Sequence, residues 1–205
     1  KVIVLTETTS NVSGSDCFTN IDRFMVCIEE DDFLASLYKT DLLISIGGAI
    51  VSKKIKAFLT KHKPRAHWYL GLNNRKPDVF KSLSRCLDVE PQRVLGRFKN
   101  VNPGEKTLRY VKAWKKLDVT LNKAQLKFEE DIDYCDYSVM KTLMEAVPSR
   151  SDLHVGNSSP VRYSNLFKLN KDVEVYCNRG TSGIDGVSST AIGTALLGDE
   201  LTTII

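Results

Sequence analysis

Residues 178–193 read Asn178-Arg179-Gly180-Thr181-Ser182-Gly183-Ile184-Asp185-Gly186-Val187-Ser188-Ser189-Thr190-Ala191-Ile192-Gly193. Strand-like Glu174–Cys177 runs into them, and a helix of small residues is predicted from Ser188 to Leu197. A strand that feeds a glycine-rich turn and then a helix N-terminus gathers unpaired N–H groups and the positive end of the helix dipole at one point. Anions bind there. Arg179 adds a planar, permanently charged fork at the mouth of the turn. The segment therefore reads as a ligand site set in an α/β unit.

A second block lies upstream: Leu153-His154-Val155-Gly156-Asn157-Ser158-Ser159-Pro160-Val161-Arg162. Asn157, Ser158 and Arg162 follow a predicted strand, Leu153–Val155, and lead into a predicted helix, Pro160–Leu166. In an open α/β sheet ligands bind beyond the carboxyl ends of the strands. Ser158 can donate a hydrogen bond, and Arg162 can grip a carboxylate with two parallel bonds. Arg179 stands at the equivalent end of the next strand, so the two arginines can converge on one polyanionic ligand. An N-capping serine beside a surface arginine is the plainer alternative for this block.

The strings GNSSPVR and NRGTSGIDGVSSTAIGTA, in this order and spacing, resemble the start of the pyrophosphate-binding domain of thiamine-diphosphate enzymes. More narrowly, they resemble the SEPHCHC synthases of menaquinone biosynthesis. Residues 1–130 resemble that family's central domain more weakly, through VIVLTETTSN (Val2–Asn11) and Leu42-Leu43-Ile44-Ser45-Ile46-Gly47-Gly48.

The resemblance implies a decarboxylating, carbon–carbon bond-forming transferase. It joins a unit derived from 2-oxoglutarate to isochorismate with thiamine diphosphate and Mg2+, the cofactor acting as the electron sink. It implies that Asn157, Ser158, Arg162 and Arg179 face the substrates, which together bring four carboxylates. It places Gly183, Ile184, Asp185 and Gly186 at the cofactor, with Ile184 as the apolar wedge between its two rings. Ordinary core packing remains the alternative for Ile184. The family's magnesium motif, a Gly-Asp pair followed by a distant Asn, is expected past residue 205, and Gly198-Asp199 reads as a turn. The glutamate that activates the cofactor is expected in a separate N-terminal domain, so no catalytic group is assigned within this chain. The segment alone is expected to be inactive and to bind thiamine diphosphate weakly or not at all. A homodimer or tetramer is expected of the whole enzyme.

Composition sets the frame around these motifs. The chain has 205 residues, 42% hydrophobic and 26% charged, as in ordinary globular proteins. A net charge of +4, with lysines and arginines interleaved among acids, offers no basic stripe for nucleic acid. Five cysteines without CxxC spacing read as reduced thiols in a cytoplasmic protein. No apolar run approaches the roughly 20 residues of a membrane helix. The chain reads as a segment of a longer enzyme, opening at Lys1 into apolar Val2–Leu5 and closing within Leu201–Ile205.

The predicted architecture is α/β, with parallel sheet flanked by helices, in two parts. Residues 1–130 form a Rossmann-like central domain, and residues 131–205 the opening of a second α/β domain. Predicted strands in the first part are Val2–Thr6, Phe24–Ile28, Leu42–Ile46, His67–Leu72 and Val94–Phe98. Predicted helices are Asp31–Lys39, Ser52–Lys63, Asp78–Leu87 and Glu105–Glu130. In Ser52–Lys63, Ile55, Phe58 and Leu59 share one face and lysines occupy the other. Helix Val139–Ala146, capped by Asp136 or Ser138, and strand Leu201–Ile205 complete the second part. Gly47-Gly48 follows a strand but lacks the third glycine and downstream acid of a dinucleotide fingerprint, so it reads as a tight turn. His62, His67 and His154 are too scattered to suggest a metal site.

Three other readings stay open on these grounds. One is another thiamine enzyme, such as a 2-oxoacid decarboxylase or acetolactate synthase. The second is a non-catalytic ligand-binding α/β domain, and the third a fragment that binds nothing.

Overall fold

The computed structural model describes residues 2–72, 77–98, 100–181, 183 and 185–205. All strand pairings among them are parallel, which makes the chain α/β as its alternating pattern implies. It divides into two compact units, one dominated by Asp22–Leu121 and the other formed by Val4–Ile21 with Asn122–Ile205. Two short strands open the second of these, β1 (Val4–Leu5) and β2 (Cys17–Phe18).

In the first unit, helices α1 (Ile21–Glu29) and α2 (Asp32–Leu37) precede strand β3 (Leu42–Ile46). Helix α3 (Lys53–Lys61) then leads to β4 (Ala66–Leu70), β5 (Arg85–Leu87) and α4 (Pro91–Phe98). The sheet order is β3-β4-β5, with Leu42 opposite Ala66 and Trp68 opposite Arg85. Ser52 caps α3 by accepting from the Ile55 amide at 3.1 Å, and Ile55, Phe58 and Leu59 are its buried face, as their spacing predicts. The 26-residue α5 (Glu105–Glu130) matches its predicted span. Its Trp114 packs edge-on against Tyr38 and tilted against Phe24, both at 5.2 Å between ring centroids.

Three expectations in this unit are overturned. Phe24–Ile28, predicted as a strand, lies within α1, where Phe24, Met25 and Ile28 are all fully buried. Positions i, i+1 and i+4 make one helical face, and a short apolar run does not by itself distinguish strand from helix. Val94–Phe98 is the end of α4, whose start is marked by Pro91 at a position where proline's missing N–H costs nothing. Asp78–Leu87, predicted helical, is a turn followed by β5. The Asp78 carboxylate accepts from the Ser82 and Leu83 amides at 2.9 and 3.0 Å and folds the chain back before a helix can propagate.

In the second unit, α6 (Asp136–Ala146) is followed by β6 (Ser151–His154), α7 (Ser159–Ser164), β7 (Val173–Tyr176), α8 (Val187–Leu197) and β8 (Leu201–Ile204). The order β7-β6-β8 puts β6 in the centre, and its Leu153 together with the following Val155 is fully buried. Ser138 accepts from the Cys135 amide at 2.9 Å, so α6 begins one turn before Val139.

The opening segment is stitched to this sheet. The Asn11 side chain pairs with the backbone of Val175, donating to its carbonyl at 3.1 Å and accepting from its amide at 2.8 Å. Asn165, which follows α7, accepts from the Thr8 amide on its side chain at 2.7 Å and from the Asn20 amide on its carbonyl at 3.1 Å.

Candidate functional site

Because β6, β7 and β8 are parallel, their carboxyl ends lie along one edge of the sheet. The two motif-bearing loops leave from that edge. Residues 155–158 follow β6, and residues 177–186 follow β7 and deliver the chain to α8. Sequence-predicted residues from both blocks meet there.

Asn157 is 8% exposed and joins the blocks. Its Nδ2 donates to the Asn178 carbonyl at 2.7 Å and the Gly183 carbonyl at 2.5 Å. Its Oδ1 accepts from Arg179 Nη1 at 2.8 Å and from the Cys177 thiol at 3.5 Å. Half-buried Arg179 is thus aligned at the strand ends by a neutral carboxamide. Burial pushes the Cys177 thiol up, with Arg179 pulling the other way, so it is a protonated donor near neutral pH.

Gly186 caps α8 at φ +85°, a conformation that strains any residue carrying a Cβ. It offers no side chain to the first-turn amides. The Ser189 and Thr190 hydroxyls donate to the Gly186 carbonyl at 3.0 and 2.9 Å, and Thr190 Oγ1 accepts from Asn178 Nδ2 at 3.4 Å. Gly183 and Asp185 are exposed in the same turn. The position assigned to the apolar wedge, Ile184, lies outside the described residues.

Ser158 is exposed and holds φ +72°, ψ −118°, a strained conformation for a residue other than glycine. Arg162 stands exposed in the last turn of α7, outside the cluster that Asn157 ties together. Sequence reasoning assigned nothing to Asn178 and Cys177, although both hold the turn. Their only signal was adjacency to Arg179, and bonds made through a carbonyl or a thiol leave no spacing to read.

Of the histidines, His154 is buried beneath the Tyr176 ring, stacked at 5.2 Å, and burial lowers its pKa. Tyr176 itself is pushed up to about 12, first by its hydrogen bond to Glu174. Among the described residues, no three His, Cys, Asp or Glu side chains are placed to hold a metal ion, and no helix is long and apolar enough to cross a membrane.

No protein-family model matches the chain. Curated proteins do. It is 39% identical over 206 residues to the 2-succinyl-5-enolpyruvyl-6-hydroxy-3-cyclohexene-1-carboxylate (SEPHCHC) synthase of Flavobacterium psychrophilum, covering 100% of this chain and 36% of that protein. Synthases of the same name from Flavobacterium johnsoniae and Christiangramia forsetii are 38% and 37% identical, over 95% and 100% of the chain and 34% and 36% of their own lengths. The chain thus spans little more than a third of the relatives it matches.

Proposed function

The chain belongs to the SEPHCHC synthase family, and we propose that its second unit holds the acidic substrates and the cofactor diphosphate of such an enzyme. The whole protein then decarboxylates 2-oxoglutarate and joins the remaining four-carbon unit to isochorismate. The observation that carries this reading is the Asn157–Arg179 bond. It fixes a cation at the carboxyl ends of two adjacent parallel strands, beside a helix N-terminus capped by a glycine.

The donor set fits thiamine diphosphate. The N-cap of α8 is a glycine with no side chain to offer the first-turn amides, and the glycines at 183 and 186 keep side chains away from an incoming diphosphate. Gly183, Asp185 and Gly186 would line the cofactor, with Ile184 the apolar residue that the family resemblance assigns to it. Bound there, thiamine diphosphate supplies the electron sink for loss of carbon dioxide. The chain's own residues bind and orient. Arg179, held by Asn157, presents its fork to one substrate carboxylate. Arg162 presents a second, and the Ser158 hydroxyl adds a donor. Two arginines suit a pair of substrates that bring several carboxylates. We assign the Mg2+ ligands and the cofactor-activating acid to parts of the relatives that this chain does not cover.

Steady-state kinetics of the full-length enzyme test the proposal. Arg179→Ala should raise KM for 2-oxoglutarate or isochorismate by about tenfold to a hundredfold, the worth of a charge-assisted bond, with folding unchanged. Unchanged KM for both substrates contradicts it.

A further inference from the structure

We infer that Asn157 is the positioning residue of this site: it acts through Arg179 and the 178–183 turn and does not touch substrate. The inference rests on the proposed role of Arg179. A carboxamide has two N–H donors and one oxygen with two lone pairs. In Asn157 both donors go to main-chain carbonyls, those of Asn178 and Gly183. Both lone pairs are taken by Arg179 Nη1 and the Cys177 thiol. A side chain this buried and fully used has no group left for a ligand.

The same four bonds show what the residue does. All of its partners, Cys177, Asn178, Arg179 and Gly183, lie between β7 and α8 and not in a strand. Asn157 is rigid by contrast, because it follows the central strand β6, where Leu153 and Val155 are fully buried. It therefore transfers the order of the sheet to the guanidinium before substrate arrives. Such preorganisation spares the entropy of fixing a long side chain during binding. The residue must also be an amide. Aspartate of the same shape still accepts from Arg179, but it turns a carboxylate on two carbonyl oxygens and offsets the arginine's charge.

The test is a double-mutant cycle in the full-length enzyme supplied with thiamine diphosphate and Mg2+. Asn157→Ala should raise KM for the same substrate that Arg179→Ala affects, by about tenfold, and should add less than about twofold in the Arg179→Ala background. An undiminished penalty in that background, or no change of KM from Asn157→Ala alone, overturns the inference while leaving the role of Arg179 standing. Unchanged KM in Arg179→Ala overturns both. Asn157→Asp covers the case in which the alanine variant does not fold. Its KM relative to the wild type should be raised at neutral pH and fall as pH is lowered, because a protonated carboxyl regains one donor for the turn. A ratio that is flat with pH refutes the assignment.

Discussion

Gly186 shows how much one residue settles. Its φ of +85° lets the loop enter α8 directly, and a Cβ placed there would sit 3.5 Å from Asn178 Nδ2. Gly186→Ala should lower the stability of the intact protein by about 1–2 kcal/mol, the strain of a left-handed alanine, read as a shift in the denaturant midpoint. An unshifted midpoint contradicts the backbone argument. Ser158 presents the reverse case, a left-handed φ in a residue with a Cβ. Strain of this kind persists only where the surroundings hold it, and it lies beside the residue that orders the whole turn. Asn157 reads in sequence as one more polar group facing a ligand; its four bonds to residues 177–183 were not legible, because contacts made to carbonyls, a thiol and a distant arginine leave no spacing to read.

At the scale of elements, the strands whose apolar run was bounded by turn residues were read correctly, as Leu42–Ile46 before Gly47-Gly48 shows. Phe24–Ile28 misled because all five residues are apolar, so the sequence shows no period to separate helix from strand, although Val26 is exposed on the outer face of α1. The pairing of β3 with β4 contains a further device invisible in sequence. His67 of β4 is fully buried, its Nε2 is 2.7 Å from the Ser45 hydroxyl of β3, and its Nδ1 is 3.3 Å from the Ser82 hydroxyl. Burial lowers its pKa, with Asp78 opposing weakly. The folded protein thus binds a proton at His67 less readily than the unfolded chain does. Its stabilising effect is complete above the unfolded value of about 6.5 and is lost as pH falls from there toward the lower folded value. Denaturant midpoints should therefore decline between about pH 7 and pH 5, and His67→Gln should flatten that decline, His154 contributing what remains in the same direction. A slope unaltered by His67→Gln contradicts this account.

For the molecule as a whole, order in the chain and order in space part company at the start. Val4–Ile21 belongs with the unit that carries the site, although some hundred residues separate them from it in sequence. Asn11 completes the edge of β7 and Asn165 anchors the turn after α7, so the segment braces the strand that feeds Arg179 and the helix that carries Arg162. Single asparagines pairing across more than 150 residues leave no periodic trace, and this brace was not legible. The family was legible, because the strings that carry it are set by the chemistry of one short turn. The most direct test is a crystal structure of the full-length enzyme with 2-oxoglutarate or isochorismate bound. The account predicts a substrate carboxylate within about 3 Å of the Arg179 guanidinium while Asn157 keeps its bonds to the turn. Substrate carboxylates bound elsewhere, with Arg179 contacting only protein, contradict it.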